Sequence, residues 1–131
     1  MPTEYQVGDV PRKMTEMAQE FDACRPLFTA LGDENRQRIV ITLLENFSGM
    51  RVGAITQHTH LSRPAVSHHL KVLREAGVIS LYRRGTMNFY YMNEKNERWA
   101  QLTALVGHMN ELVADIAEKM GAGVCFPSDE E

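Results

Sequence analysis

Met14, Met17, Phe21, Cys24, Phe28 and Leu31 follow one another at alternating spacings of 3 and 4 residues. Such spacing draws an apolar stripe down one side of a helix, here beginning near Arg12. Pro26 falls inside the stripe; it lacks an amide donor and crowds the preceding turn, so a kink or break is expected there. Gly32 then ends this helix and Asp33 caps the next. In that second helix Ile39, Val40, Leu43 and Leu44 are expected inward and Arg36 and Arg38 outward. The two arginines read as solvated, with phosphate contact as the other option and Arg36 also a candidate for a buried salt bridge. Asn46 to Gly49 reads as a loop, and Met50-Arg51-Val52 as a short strand. Near the end, Leu102, Leu105, Met109, Leu112 and Ile116 again alternate by 3 and 4, flanked by Val106 and Val113. They predict a long helix from about Glu97 to Met120, entered by a turn and cap at Asn93 to Asn96 and closed by Gly121-Ala122-Gly123.

The stretch between these helices, VGAITQHTHLSRPAVSHHLKVLREAG, is patterned as two helices around a tight turn. The first is short, about Val52 to Thr59. Ser62 is an N-cap, since its hydroxyl can accept from an orphan amide of the first turn. Pro64 sits in that turn, where its missing N–H costs nothing. Val66, Leu70 and Leu73 make the apolar face, with Val72 beside them, and Gly77 is a C′ stop. The opposite face carries Arg63, Ser67, His68, Lys71 and Arg74, side chains that reach phosphates and base edges. This is a helix-turn-helix pattern, whose second helix enters a DNA major groove. Directly after it, VISLYRRGTMNFYYM predicts two strands, Val78 to Tyr82 and Asn88 to Met92, around a tip of Arg83-Arg84-Gly85-Thr86. A hairpin there with two arginines at its tip is a wing.

LFTALGDENRQRIV, LSRPAVSHHLKVLREAGVI and YRRGTMNFYYM, in this order and separation, resemble the ArsR-type (ArsR/SmtB-like) winged-helix repressors over about residues 25 to 113. The resemblance implies a mainly α fold with a small β-hairpin wing. Its order is two helices, a short strand, two helices, two strands and a final helix. It also implies a homodimer through the first and last helices. It further implies sequence-specific transcriptional repression at a double-stranded DNA operator, an imperfect palindrome, ended by a metal or another inducer. Ser62, Arg63, Ser67, His68, Lys71, Arg83 and Arg84 are then the DNA-binding residues. One metal site of the family uses a C-x-C pair before the turn; Arg51 and Gly53 stand at those positions. Another uses two His and two carboxylates on the last helix; here His108 stands with Glu111, Asp115 and Glu118 and no second histidine. No metal and no cofactor is therefore expected. His58, His60, His68 and His69 read as DNA-face and packing residues, because adjacent helical residues point to different sides.

Composition changes this picture little. The chain has 131 residues, 44% of them apolar, enough for one domain over 12–120 between a loose tail at 1–11 and an acidic tail at 121–131. No apolar run reaches ~18 residues and the N-terminus lacks an apolar core segment, so neither a membrane span nor a secretory signal is expected and the location reads as cytoplasmic. The net charge of −3 argues against a polyanionic partner until its distribution is seen. Residues 62–88 carry a local +4, and residues 93–131 a local −5. No nucleophile–base motif, phosphate loop or dinucleotide fingerprint occurs, so an enzyme has no support. The alternative left open is a winged-helix module for protein–protein contact without DNA binding. Such a module has no need of Arg63, Lys71, Arg83 and Arg84 on one face. Cys24 and Cys125 are the only thiols. They are too few for a disulfide framework and have two readings. They form a thiol sensor, joined by a bond or a soft-metal bridge, or they are a buried small hydrophobe and an incidental surface thiol.

Overall fold

The computed structural model describes residues 9–121. Its helices are α1 (Asp9–Leu31), α2 (Glu34–Glu45), α3 (Val52–Gln57), α4 (Arg63–Glu75) and α5 (Glu97–Met120). A hairpin of β1 (Ser80–Arg84) and β2 (Met87–Tyr91) lies between α4 and α5. The described residues divide into two compact units: 23–102, and 9–22 together with 103–121. Cys125 and the ends at 1–8 and 122–131 lie outside the described residues. Among the described residues no helix is long and apolar enough to cross a membrane.

The 23–102 unit is built on buried aliphatic side chains. Ile39 and Leu43 of α2, Ile55 of α3 and Val66, Leu70 and Leu73 of α4 are all fully buried. At ~3.6 residues per turn Leu44 falls about 140° round from Ile39. That explains why it is 52% exposed instead of inward; Thr42 takes its place on the inner face and returns its hydroxyl to the Arg38 carbonyl at 2.9 Å. α1 continues through Pro26 without the expected break. Pro26 has no amide to give back along the helix, a loss of ~3 kcal/mol in an isolated helix. The burial of Cys24, Leu27 and Ala30 on the same stretch offsets it. Phe28, expected on the inner stripe, is 44% exposed.

The wing is tighter than its sequence suggests. β1 and β2 pair antiparallel from Ser80↔Tyr91 to Arg84↔Met87, so Arg83 and Arg84 belong to the strand and only Gly85-Thr86 turn. Gly85 has φ 65 and Thr86 is not in the positive region, the arrangement of a type II′ turn, whose twist suits a two-residue hairpin. Met50 contributes a single-residue bridge to Tyr90, with paired backbone bonds of 2.9 and 2.8 Å, in place of a full third strand. Val78 and Ile79 are buried in the link before β1.

In the other unit, His108 Nδ1 lies 2.6 Å from Glu20 Oε2. Leu105 is fully buried, Leu112 and Ile116 are half-buried, and Val106, Met109 and Val113 are exposed. The apolar stripe of α5 is therefore only partly covered.

Two glycines separate backbone need from mere tolerance. Gly77 has φ 84, and a Cβ there would run into the side chain of Arg98, whereas a Cβ on helical Gly53 would meet nothing. Gly77→Ala is expected to destabilise by more than ~1 kcal/mol and Gly53→Ala to stabilise by ~0.4–1 kcal/mol. Urea unfolding of the two variants beside the parent checks both signs.

Candidate nucleic-acid interface

α4 is fixed at both ends before its exposed face is considered. Ser62 Oγ accepts from the Ala65 amide at 3.3 Å, and Pro64 stands in the first turn. At the other end the Val78 amide reaches the Leu73 carbonyl at 2.9 Å and the Gly77 amide reaches Arg74 at 3.0 Å. This pair of bonds is a Schellman stop, and it needs the left-handed conformation of Gly77. Val66, Leu70 and Leu73 then point inward, which leaves Arg63, Ser67, Lys71 and Arg74 on one exposed stripe at spacings of 4, 4 and 3. His68 is exposed beside that stripe. The structure thus brings Arg63, Ser67, His68 and Lys71 together on one face, and Ser62 serves the helix as its cap.

α3 is packed against α4 with Ile55 buried. The turn between them is held by side chains: Thr59 Oγ1 donates to the Thr56 carbonyl at 2.9 Å and accepts from the Leu61 amide at 3.1 Å. His58 Nδ1 lies 2.9 Å from the Ala54 carbonyl, so it carries the proton there.

The wing arginines are held as well as exposed. Arg83 Nε donates to the Gly85 carbonyl at 3.2 Å. The Arg84 guanidinium lies 6.0 Å from the centre of the Tyr82 ring, at the edge of cation–π range. Tyr82 is itself stacked on Phe89, with centroids 5.2 Å apart, and donates to the Ser48 carbonyl at 3.1 Å. This aromatic support was signalled in the sequence only by two β-forming runs; the Tyr82↔Phe89 register is what pairs them.

By sequence Arg36 reads as solvated, with a buried salt bridge as another option. Instead its guanidinium donates from Nε to the Ala30 carbonyl at 2.8 Å and from Nη2 to the Thr29 carbonyl at 3.2 Å. Its Nη1 lies 3.1 Å from His69 Nδ1. His69 thus faces α2, about 160° round α4 from Lys71. Arg38 remains exposed, paired with Glu34 at 3.2 Å, a surface contact of little energetic weight. Asp33 caps α2 by accepting from the Arg36 amide at 3.1 Å, and that bond holds its carboxyl below the usual value of 3.8.

Cys24 is 1% exposed, which suits a small apolar core residue; Cys125 lies outside the described residues. Among the described residues no group of three or more His, Cys, Asp or Glu is placed to hold a metal ion.

Residues 33–80 match the family described as bacterial regulatory protein, arsR family. An uncharacterized HTH-type transcriptional regulator of Methanocaldococcus jannaschii, MJ1325, is 36% identical over 74 residues, which are 56% of this chain and 82% of that protein. The transcriptional repressor SdpR of Bacillus subtilis is 39% identical over 67 residues, 51% of this chain and 72% of that one. Among solved structures, an ArsR family transcriptional regulator, RHA00566, superposes with a TM-score of 0.61 at 18% identity. That alignment covers 71% of this chain and 92% of the other, a likeness of fold.

The Asp33 cap has a measurable signature. Asp33→Ala is expected to cost ~1 kcal/mol near neutral pH. Because the folded carboxyl is depressed, its contribution is present above 3.8 and is lost as pH falls through the lower folded value. Chemical denaturation of parent and variant from pH 7 down to pH ~3 should show the two curves converging at the acid end.

Proposed function

This chain belongs to the ArsR family of bacterial regulatory proteins, and it is a DNA-binding transcriptional regulator; we propose that it acts as a homodimeric repressor at an imperfectly palindromic operator. The observation that carries this reading is α4, capped at both ends, buried on its apolar side, and showing Arg63, Ser67, His68 and Lys71 to solvent. The first turns of such a helix meet base edges, so Arg63, Ser67 and His68 read bases while Lys71 holds phosphate. Arg83 and Arg84 hold phosphates flanking the site. The name of SdpR as a repressor supports repression. An unidentified signal releases the DNA, and the location is cytoplasmic.

Two protomers place two copies of α4 about one helical turn apart on the DNA. The apolar residues left open on α5, Val106, Met109 and Val113, together with Met14 and Phe21 of α1, supply the seam. Leu105 is buried within the protomer and belongs to its core, so a test of the seam should spare it.

Selection of bound DNA from a random pool tests the reading as a whole: enrichment of a palindromic site is expected, and a pool with no enriched sequence would leave the protein–protein module instead. With that site in hand, Arg63→Ala or Ser67→Ala should lower affinity by ~1–3 kcal/mol and relax preference at single base pairs. Arg83→Ala or Arg84→Ala should weaken all sequences alike and flatten the dependence of log K on log salt by about 1. An unchanged selected site in the Arg63 and Ser67 variants would refute the base-reading assignment.

Val113→Glu, at a position 66% exposed, is expected to leave the protomer folded but monomeric. Each seam residue counts twice in a symmetric dimer. Sedimentation showing an intact dimer, with circular dichroism showing native helix, would place the interface elsewhere.

A further inference from the structure

The contact between Arg36 and His69 has a chemical asymmetry. A guanidinium only donates, so the His69 Nδ1 facing it must be an accepting lone pair. His69 is then neutral and carries its proton on Nε2. Arg36 is in turn anchored at its other end, on the Thr29 and Ala30 carbonyls of α1. The chain of contacts runs from the end of α1, through the first turn of α2, to the middle of α4, within the 23–102 unit.

We propose that Arg36 is a positioning residue for DNA recognition: anchored on Thr29 and Ala30, it holds α4 through neutral His69, and protonation of His69 releases that hold. The proposal rests on α4 being the recognition helix. An added proton goes to Nδ1, the ring nitrogen that carries none, and turns the acceptor into a donor facing a donor. A second positive charge then stands beside the guanidinium. The charged and titratable groups around His69 are Asp33 and Arg36 at the start of α2 and His68 on its own helix. Burial lowers the His69 pKa below 6.5, Asp33 opposes this, and Arg36 and His68 add to it. Since the folded value is depressed, the contact is intact at pH above 6.5 and is lost as pH falls through the lower folded value. The effect runs against the general trend, because acidification makes a protein more positive as a whole and strengthens its attraction to phosphates. Selectivity, the ratio of operator to random-DNA affinity, separates the two.

Two measurements test this. In the free protein, long-range proton–nitrogen spectra at pH ~7.5 should show His69 as the Nε2–H tautomer, and Arg36→Met should move its titration to higher pH. An Nδ1–H tautomer, or a titration that Arg36→Met leaves in place, overturns the proposal whatever the DNA does. On DNA, selectivity of the full chain should fall by about threefold to tenfold between pH ~7.5 and ~5.5, the worth of one net hydrogen bond. His69→Gln, which keeps an acceptor but does not titrate, should hold the parent's pH ~7.5 selectivity across the range, whereas Arg36→Met should be lower than the parent at pH ~7.5 and flat with pH. A flat parent, or variants with the slope of the parent, overturns it. A spectroscopically intact contact in a protein with no sequence-selective binding at any pH overturns the recognition-helix reading on which it rests.

Discussion

Everything the exposed face of α4 can do depends on three side chains on its other side. Val66, Leu70 and Leu73 are fully buried, and each such burial is worth roughly 1.5–3 kcal/mol. Turning the helix by one residue, about 100°, would draw an apolar side chain into water and push polar ones toward the core. Burying an unpaired polar or charged group costs more than the apolar burial returns. Packing therefore decides which residues face a partner, and the charged stripe follows. The Ser62 cap and the Gly77 stop set where that helix begins and ends, so its N-terminal turn is presented at a defined place.

The wing obeys the same logic on a smaller scale. Its arginines are aimed by a two-residue turn, by Tyr82 packed on Phe89, and by the Tyr82 hydroxyl reaching Ser48. Ordering these side chains before a ligand arrives lowers the entropy lost on binding. The charge is also local. Residues 62–88 are net positive in a chain that is −3 overall, and at physiological salt a field is screened within ~8 Å. A polyanion is thus attracted where α4 and the wing are, while the net charge limits adhesion elsewhere.

The helices, the hairpin and their order are local in origin and legible along the chain; the short strand expected at Met50 to Val52 is only a one-residue bridge. Alternation by 3 and 4 marks α5, the cap at Asn93 to Asn96 and the stop at Gly121 bound it, and Ser62 and Gly77 bound α4, because caps and apolar periodicity are local chemistry. The residues proposed to touch DNA were legible for the same reason: once Val66, Leu70 and Leu73 are inward, the other face is known. Contacts between residues distant in the chain are another matter, since they exist only once the helices have packed. Leu44 and Phe28 look like core residues by hydrophobicity, but each lies off the inner side of its helix. Pro26 looks like a break, but burial of Cys24, Leu27 and Ala30 around it keeps the helix whole. Arg83 and Arg84 look like turn residues, but a turn with one left-handed glycine closes in two positions and leaves them in the strand. Arg36 looks like a solvated surface charge; its partners, Thr29, Ala30 and His69, are set by how α1, α2 and α4 meet. Periodicity assigns a side chain to a face, but a hydrogen bond needs a partner at about 3 Å, and only the folded chain supplies it.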